Sequence, residues 1–197
     1  MTECKLGLSA ALMAALLSTT TFADTPAGVT HYSADPAKSS LEFSFMQAGA
    51  QNKGKFTKFP VMLDASADGA TPSRLDVTVV MSTMDSGDQE RDDTLRGPDL
   101  FNIAKFPQAR FTATQITKTA AGFDAIGKLT IRGVTRDQHV PFTFRTVNEQ
   151  GRTVSYLTGK TTIHRLDFGV GQGDWKSTEW VGNDVMVSYS VRLIAGQ

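Results

Sequence analysis

Three stretches of this chain alternate between an apolar set of residues and a mostly polar one. Leu75, Val77, Val79 and Met81 alternate with Asp76, Thr78, Val80 and Ser82. Val140, Phe142 and Phe144 alternate with Pro141, Thr143 and Arg145. Val185, Val187, Tyr189, Val191 and Leu193 alternate with Met186, Ser188, Ser190, Arg192 and Ile194. Successive side chains of a strand point to opposite faces, so this period puts one face on an apolar interior and the other towards water. Further strand candidates are Leu41–Gln47, Lys53–Phe59, Phe111–Lys118, Phe123–Ile131 and Thr153–Ile163. Turn signals at Ala67-Asp68-Gly69, Ala120-Ala121-Gly122 and Asn148-Glu149-Gln150-Gly151 separate them. Such strands joined by short turns make an all-β chain, folded as an antiparallel barrel or sandwich.

One segment breaks the pattern. From Ser86 to Phe106 there is no alternation but a charged run, Glu90-Arg91-Asp92-Asp93, followed by Leu95, Arg96, Gly97-Pro98 and Asp99-Leu100-Phe101. Asp88 suits the N-cap of a short helix over about Gln89–Leu95, and Gly97-Pro98 suits its stop.

The N-terminus reads as an export signal rather than as fold. Leu6–Leu17 is apolar but too short to span a bilayer comfortably, and Thr21-Phe22-Ala23 fits a signal-peptidase site. The expected organisation is therefore a signal peptide over residues 1–23, a single domain over residues 24–197, and a periplasmic location. The only cysteine, Cys4, falls inside that signal, which leaves no thiol chemistry in the remainder. Twenty basic residues balance twenty acidic ones. A neutral chain argues against broad capture of nucleic acid.

Catalytic motifs are missing. There is no Gly-x-Ser-x-Gly, and Gly169, Gly171 and Gly173 do not join a strand to a helix as a dinucleotide loop would. The three histidines, His31, His139 and His164, show no metal-ligand spacing, so no metal site is expected. The polar candidates are Arg91, Asp92, Arg96 and Asp99. They suit an ion-pair network that fixes the irregular segment, or a site for a polar head group. The apolar candidates are Phe43, Phe45, Phe111, Leu129, Ile131, Phe142, Phe144, Val187 and Tyr189. Alternation turns them inward, where they either fill a core or line a cavity.

The order of short motifs along the chain resembles the YceI-like family. It runs from Tyr32 and Asp35 through Ser40-x-x-Phe43 and Gly54-Lys55-Phe56 to Asp85-Ser86-Gly87, Arg91-Asp92, Leu95-Arg96, Asp99-Leu100-Phe101 and Phe106-Pro107. It continues through Gly127-Lys128-Leu129-Thr130-Ile131-Arg132-Gly133-Val134-Thr135 to Arg165-Leu166-Asp167-Phe168-Gly169-Val170. The resemblance implies a lipocalin-like barrel of about eight antiparallel strands with a short helical insert. It implies a polyisoprenoid held in an apolar tunnel by a carrier or store, not an enzyme. Phe45-Met46-Gln47-Ala48-Gly49-Ala50-Gln51-Asn52 departs from the common family pattern. It resembles a subgroup found fused to, or beside, a b-type di-haem membrane cytochrome. That likeness favours a ubiquinone-type lipid, with the protein as a quinone-presenting accessory of such a cytochrome. A homodimer is a further expected partner state. An enzyme acting on a small periplasmic substrate is the remaining alternative.

Overall fold

The computed structural model describes residues 28–196. The signal peptide expected over residues 1–23, and Cys4 with it, lie outside the described residues.

Among the described residues, eleven strands and one α-helix follow in chain order. They are β1 (Val29–Ala34), β2 (Ser40–Gln47), β3 (Ala50–Phe56), β4 (Val61–Ser66), β5 (Pro72–Val80) and β6 (Met84–Asp85). The helix α1 (Gln89–Arg96) comes next, then β7 (Gln108–Thr119), β8 (Gly122–Ile131), β9 (Val134–Glu149), β10 (Arg152–His164) and β11 (Val181–Ala195). Every pairing is antiparallel.

The sheet closes on itself. β1, β4, β5, β7, β8, β9, β10 and β11 form a ring of eight strands, sealed where β1 pairs with β11 through Tyr32 opposite Ala195 and Ala34 opposite Leu193. Closure removes the free edges that an open sheet would expose. β11 is long enough to carry two partners along one side. Its C-terminal end takes β1 and the rest takes β2, from which β3 and β6 continue the wall.

Alternation decides which side chains enter the barrel. Along β11, Val187, Tyr189, Val191 and Leu193 are core residues. β4 follows the same rule, with Val61, Leu63 and Ala65 buried and Met62 exposed. Apolar residues are spread along the whole barrel, but one end is packed tighter. There Phe142 stacks on Phe123 at 5.7 Å, Phe123 meets Phe144 edge-on at 6.5 Å, and Phe144 meets Tyr32 edge-on at 6.0 Å. Edge-to-face and offset pairs at these separations add to simple burial.

The insert caps the opposite end. Asp88 accepts from the Arg91 N–H at 3.0 Å and starts α1, and Gly97 ends it. Leu95, Leu100 and Phe101 turn their apolar groups into the barrel core. A second segment, residues 165–181, lies beside the insert: the Asp99 carbonyl accepts from the N–H groups of Gly171 and Gln172, at 3.1 and 2.8 Å.

A lined cavity under the insert

Between the packed aromatic end and the capped end lies a cavity of about 800 Å³. Its wall is apolar and drawn from most of the barrel, with Leu41, Phe56, Val77, Val140, Leu157 and Val191 among the contributors. Seven of the apolar residues picked from alternation face it: Phe43, Phe45, Phe111, Leu129, Ile131, Val187 and Tyr189. Phe142 and Phe144 do not, which corrects their expected place on the tunnel wall. Both point inward, but one level too deep, in the aromatic cluster below the cavity. Alternation reports the face of a strand and not the height along the barrel axis.

The polar residues at the mouth of the cavity come mainly from two elements. Gln47 and Asn52 come from the β2–β3 hairpin, and Asp88, Glu90, Arg91 and Thr94 from the start of the insert, with Arg110 added from β7. All are exposed or half-exposed and mark the rim. From that rim inward along β2, the lining changes from Gln47 through Phe45 and Phe43 to Leu41.

Deeper polar groups are already committed. Tyr189 lies across Gly159, the only residue type that leaves room there, since a Cβ would meet its hydroxyl at 2.8 Å. That hydroxyl donates to the Pro141 carbonyl, and burial, with a smaller push from the Asp124 charge, raises its pKa well above the ordinary tyrosine value. The Gln138 side-chain N–H groups reach Thr161 Oγ1 and the His139 carbonyl, both at 3.0 Å.

The four charged residues of the insert separate into different places. Asp92 is 5% exposed. Its carboxylate accepts from the Ser86 N–H at 2.9 Å and faces Arg96 at 3.7 Å. Arg96 also donates to the Met84 carbonyl and to Asp93. This pair ties α1 to β6. Arg91 stands apart on the rim, in a loose 3.5 Å pair with the exposed Asp88. Asp99 is exposed and acts through its backbone carbonyl alone among the described residues. The expected four-membered network is therefore one pair, one rim residue and one backbone contact.

Arg165 was not among the candidates, yet it organises the cover of the cavity. It is 5% exposed and lines the cavity roof. Its guanidinium donates to five backbone carbonyls: Nε to Gly182, Nη1 to Val170 and Trp175, Nη2 to Ser177 and Val181, at 2.7–3.1 Å. Five N–H groups thus meet five acceptors, with no carboxylate involved. Burial pulls its pKa below the usual arginine value. The segment from 170 to 182 is in effect wrapped around this one side chain.

Each histidine instead pairs on the outer wall with an aspartate: His31 with Asp64, His139 with Asp124 and His164 with Asp184, at 2.7–2.8 Å. Among the described residues, no group of three or more potential metal ligands comes together.

A model of the YceI-like domain matches residues 32–193. A UPF0312 protein of Staphylococcus aureus is 27% identical over 171 residues, which cover 84% of this chain and 98% of that protein. A UPF0312 protein of Yersinia enterocolitica is 34% identical over 83 residues, a match that spans only 43% of that relative's length. Among solved structures, Burkholderia cenocepacia BcnA superposes with a TM-score of 0.73 at 29% identity, covering 81% of this chain and 98% of that one. A polyisoprenoid binding domain from Saccharophagus degradans shares the fold, with a TM-score of 0.61 at 16% identity, over 84% and 98% of the two chains. The eight-stranded closed barrel, its helical insert and the matched residues together show that this chain belongs to the YceI-like family.

Proposed function

We propose that the protein holds an isoprenoid lipid, its tail in the barrel cavity and its head at the rim, as a periplasmic carrier or store. The cavity carries this reading. It has the size of a ligand pocket, and its wall offers apolar surface with few free polar groups. The fold shared with the polyisoprenoid binding domain of Saccharophagus degradans supports it. A binding role rather than catalysis fits the inner polar groups, since Tyr189, Gln138 and Arg165 are all bonded to protein acceptors.

The energetics place selectivity at the rim. A tail gains roughly 0.8 kcal/mol per buried CH₂ relative to water. A lipid drawn from a bilayer is already out of water, so that gain nearly cancels. Net preference then rests on head-group contacts and on shape.

Gln47 and Asn52 favour a particular version of this reading. Both belong to the stretch that departs from the common family pattern, and both reach the rim. Their neutral amides can donate to a quinone carbonyl. Among the exposed or half-exposed charged residues of the lining, Asp88 and Glu90 balance Arg91 and Arg110, so the rim has no net positive charge to favour a diphosphate over a neutral head. A ubiquinone-type lipid fits this rim, and a membrane b-type cytochrome fits as the protein that exchanges quinone with it.

A transfer assay tests the proposal. Lipid-free protein is mixed with vesicles that carry a trace of labelled ubiquinone or polyprenol, and the vesicles are then removed. Label should remain with the protein, ubiquinone in excess over polyprenol. Label left wholly in the vesicles would defeat the proposal.

A further inference from the structure

The geometry points to a length gauge at the closed end of the cavity, built from the aromatic cluster of Phe142, Phe123, Phe144 and Tyr32. This inference rests on the lipid-binding reading and adds to it which tails the barrel accepts.

Four strands show where the cavity stops. On β9, Val140 lines it, and the next inward residue, Phe142, does not. On β4 the change falls between Val61 and Leu63, on β11 between Val191 and Leu193, and on β7 between Phe111 and Ala113. The residues below that level are closed to solvent, with Phe142 at 3% and Leu63 at 1% exposure. This is a packed layer that spans the barrel.

The floor is held from below and from the sides. Phe142 is stacked on Phe123, and the cluster continues through Phe144 to Tyr32. Gly122 lets β8 approach so closely that a Cβ there would lie 2.4 Å from the Phe142 carbonyl oxygen. Gly69 does the same for Tyr32, whose hydroxyl would be 2.4 Å from an added Cβ. Phe142, buried and stacked in this cluster, is not a ring that a tail can push aside cheaply.

A floor of this kind makes affinity depend on length in a definite manner. Each added isoprene unit contributes contacts until the tail reaches the floor. Any further unit must stay at the rim, in water or against the insert, and adds nothing. Removing the Phe142 ring moves the limit towards longer tails. Filling the space above it, from Val140, moves the limit towards shorter ones.

The test uses an equimolar mixture of farnesol, geranylgeraniol and solanesol in detergent. Lipid-free protein is incubated with it, re-isolated and extracted, and the bound prenols are quantified by mass spectrometry. Phe142→Ala should shift the retained mixture towards solanesol, because the deeper cavity holds more of the long tail while the detergent competes equally in both proteins. Phe142→Leu gives a smaller shift in the same direction and carries the test if the alanine variant does not fold. Val140→Phe should shift retention towards the short prenols. Opposite shifts support the gauge. A wild-type protein that retains prenols, with an unshifted profile in folded variants, overturns the gauge and leaves the lipid reading intact. A wild-type protein that retains none overturns the gauge together with the reading beneath it.

Discussion

Arg165 and Gly171 compete for one volume: a Cβ on Gly171 would lie 2.0 Å from Arg165 Nη1. Gly171 also has a φ of +120°, in a region that side chains disfavour. Gly171→Ala therefore strains the backbone and displaces the guanidinium that holds the cavity cover. The expected loss is about 1–3 kcal/mol. Chemical denaturation measures it, and an unchanged midpoint would show that the cover does not depend on this fit.

Arg165→Lys should be severe despite keeping the charge. An ammonium has three N–H groups on one nitrogen and cannot reach five carbonyls spread from Val170 to Gly182. Each buried acceptor left unpaired costs about 1–3 kcal/mol. Hydrogen exchange should show the amides of residues 170–182 losing protection ahead of those in β8 and β9. Uniform loss across the barrel would mean that Arg165 supports the whole fold rather than its cover.

Asp92 and Arg91 are neighbours with opposite expected effects. Asp92→Ala removes a buried acceptor from the Ser86 N–H and leaves Arg96 without its nearest carboxylate of low exposure. About 1–3 kcal/mol should be lost. Arg91→Ala breaks only a long pair with an exposed partner and should change stability by less than about 0.5 kcal/mol. Paired thermal melts decide the matter. Equal losses would restore Arg91 to a structural network.

Much of this fold was legible in the alternation of β5, β9 and β11, because a barrel wall with one dry face writes its geometry into every second residue. α1 was legible from Asp88 and Gly97, since helix ends depend on local side-chain and backbone chemistry. β3 was harder: Ala50–Phe56 is mostly polar, and its N-terminal part serves the rim rather than the core. The depth of Phe142 and Phe144 was not legible at all, for height along a barrel is set by register between strands distant in sequence. Arg165 left the faintest trace. Its partners are backbone carbonyls, which any residue supplies, so its place at the head of Arg165-Leu166-Asp167-Phe168-Gly169-Val170 marked the segment but not the role.

Acid should weaken the barrel through Asp76. Burial favours its neutral form, but hydrogen bonds from Arg74 and Thr112 outweigh that effect and hold its pKa below the ordinary aspartate value. A carboxylate depressed in the folded state adds stability above its unfolded pKa of about 3.9, and that stability is lost as pH falls through the lower folded value. Melting temperature should therefore drop in that acid window, and less steeply in Asp76→Asn. Parallel acid limbs in the two proteins would remove Asp76 from the account.

The cavity itself is best tested by what co-purifies with the protein. The protein is purified without detergent from the cells that make it, extracted with organic solvent, and the extract is analysed by mass spectrometry. An isoprenoid lipid should be recovered in near-equal amount to the protein, with ubiquinone the leading species. A folded barrel that yields only phospholipid, or no lipid, would contradict the claim that this cavity is an isoprenoid site.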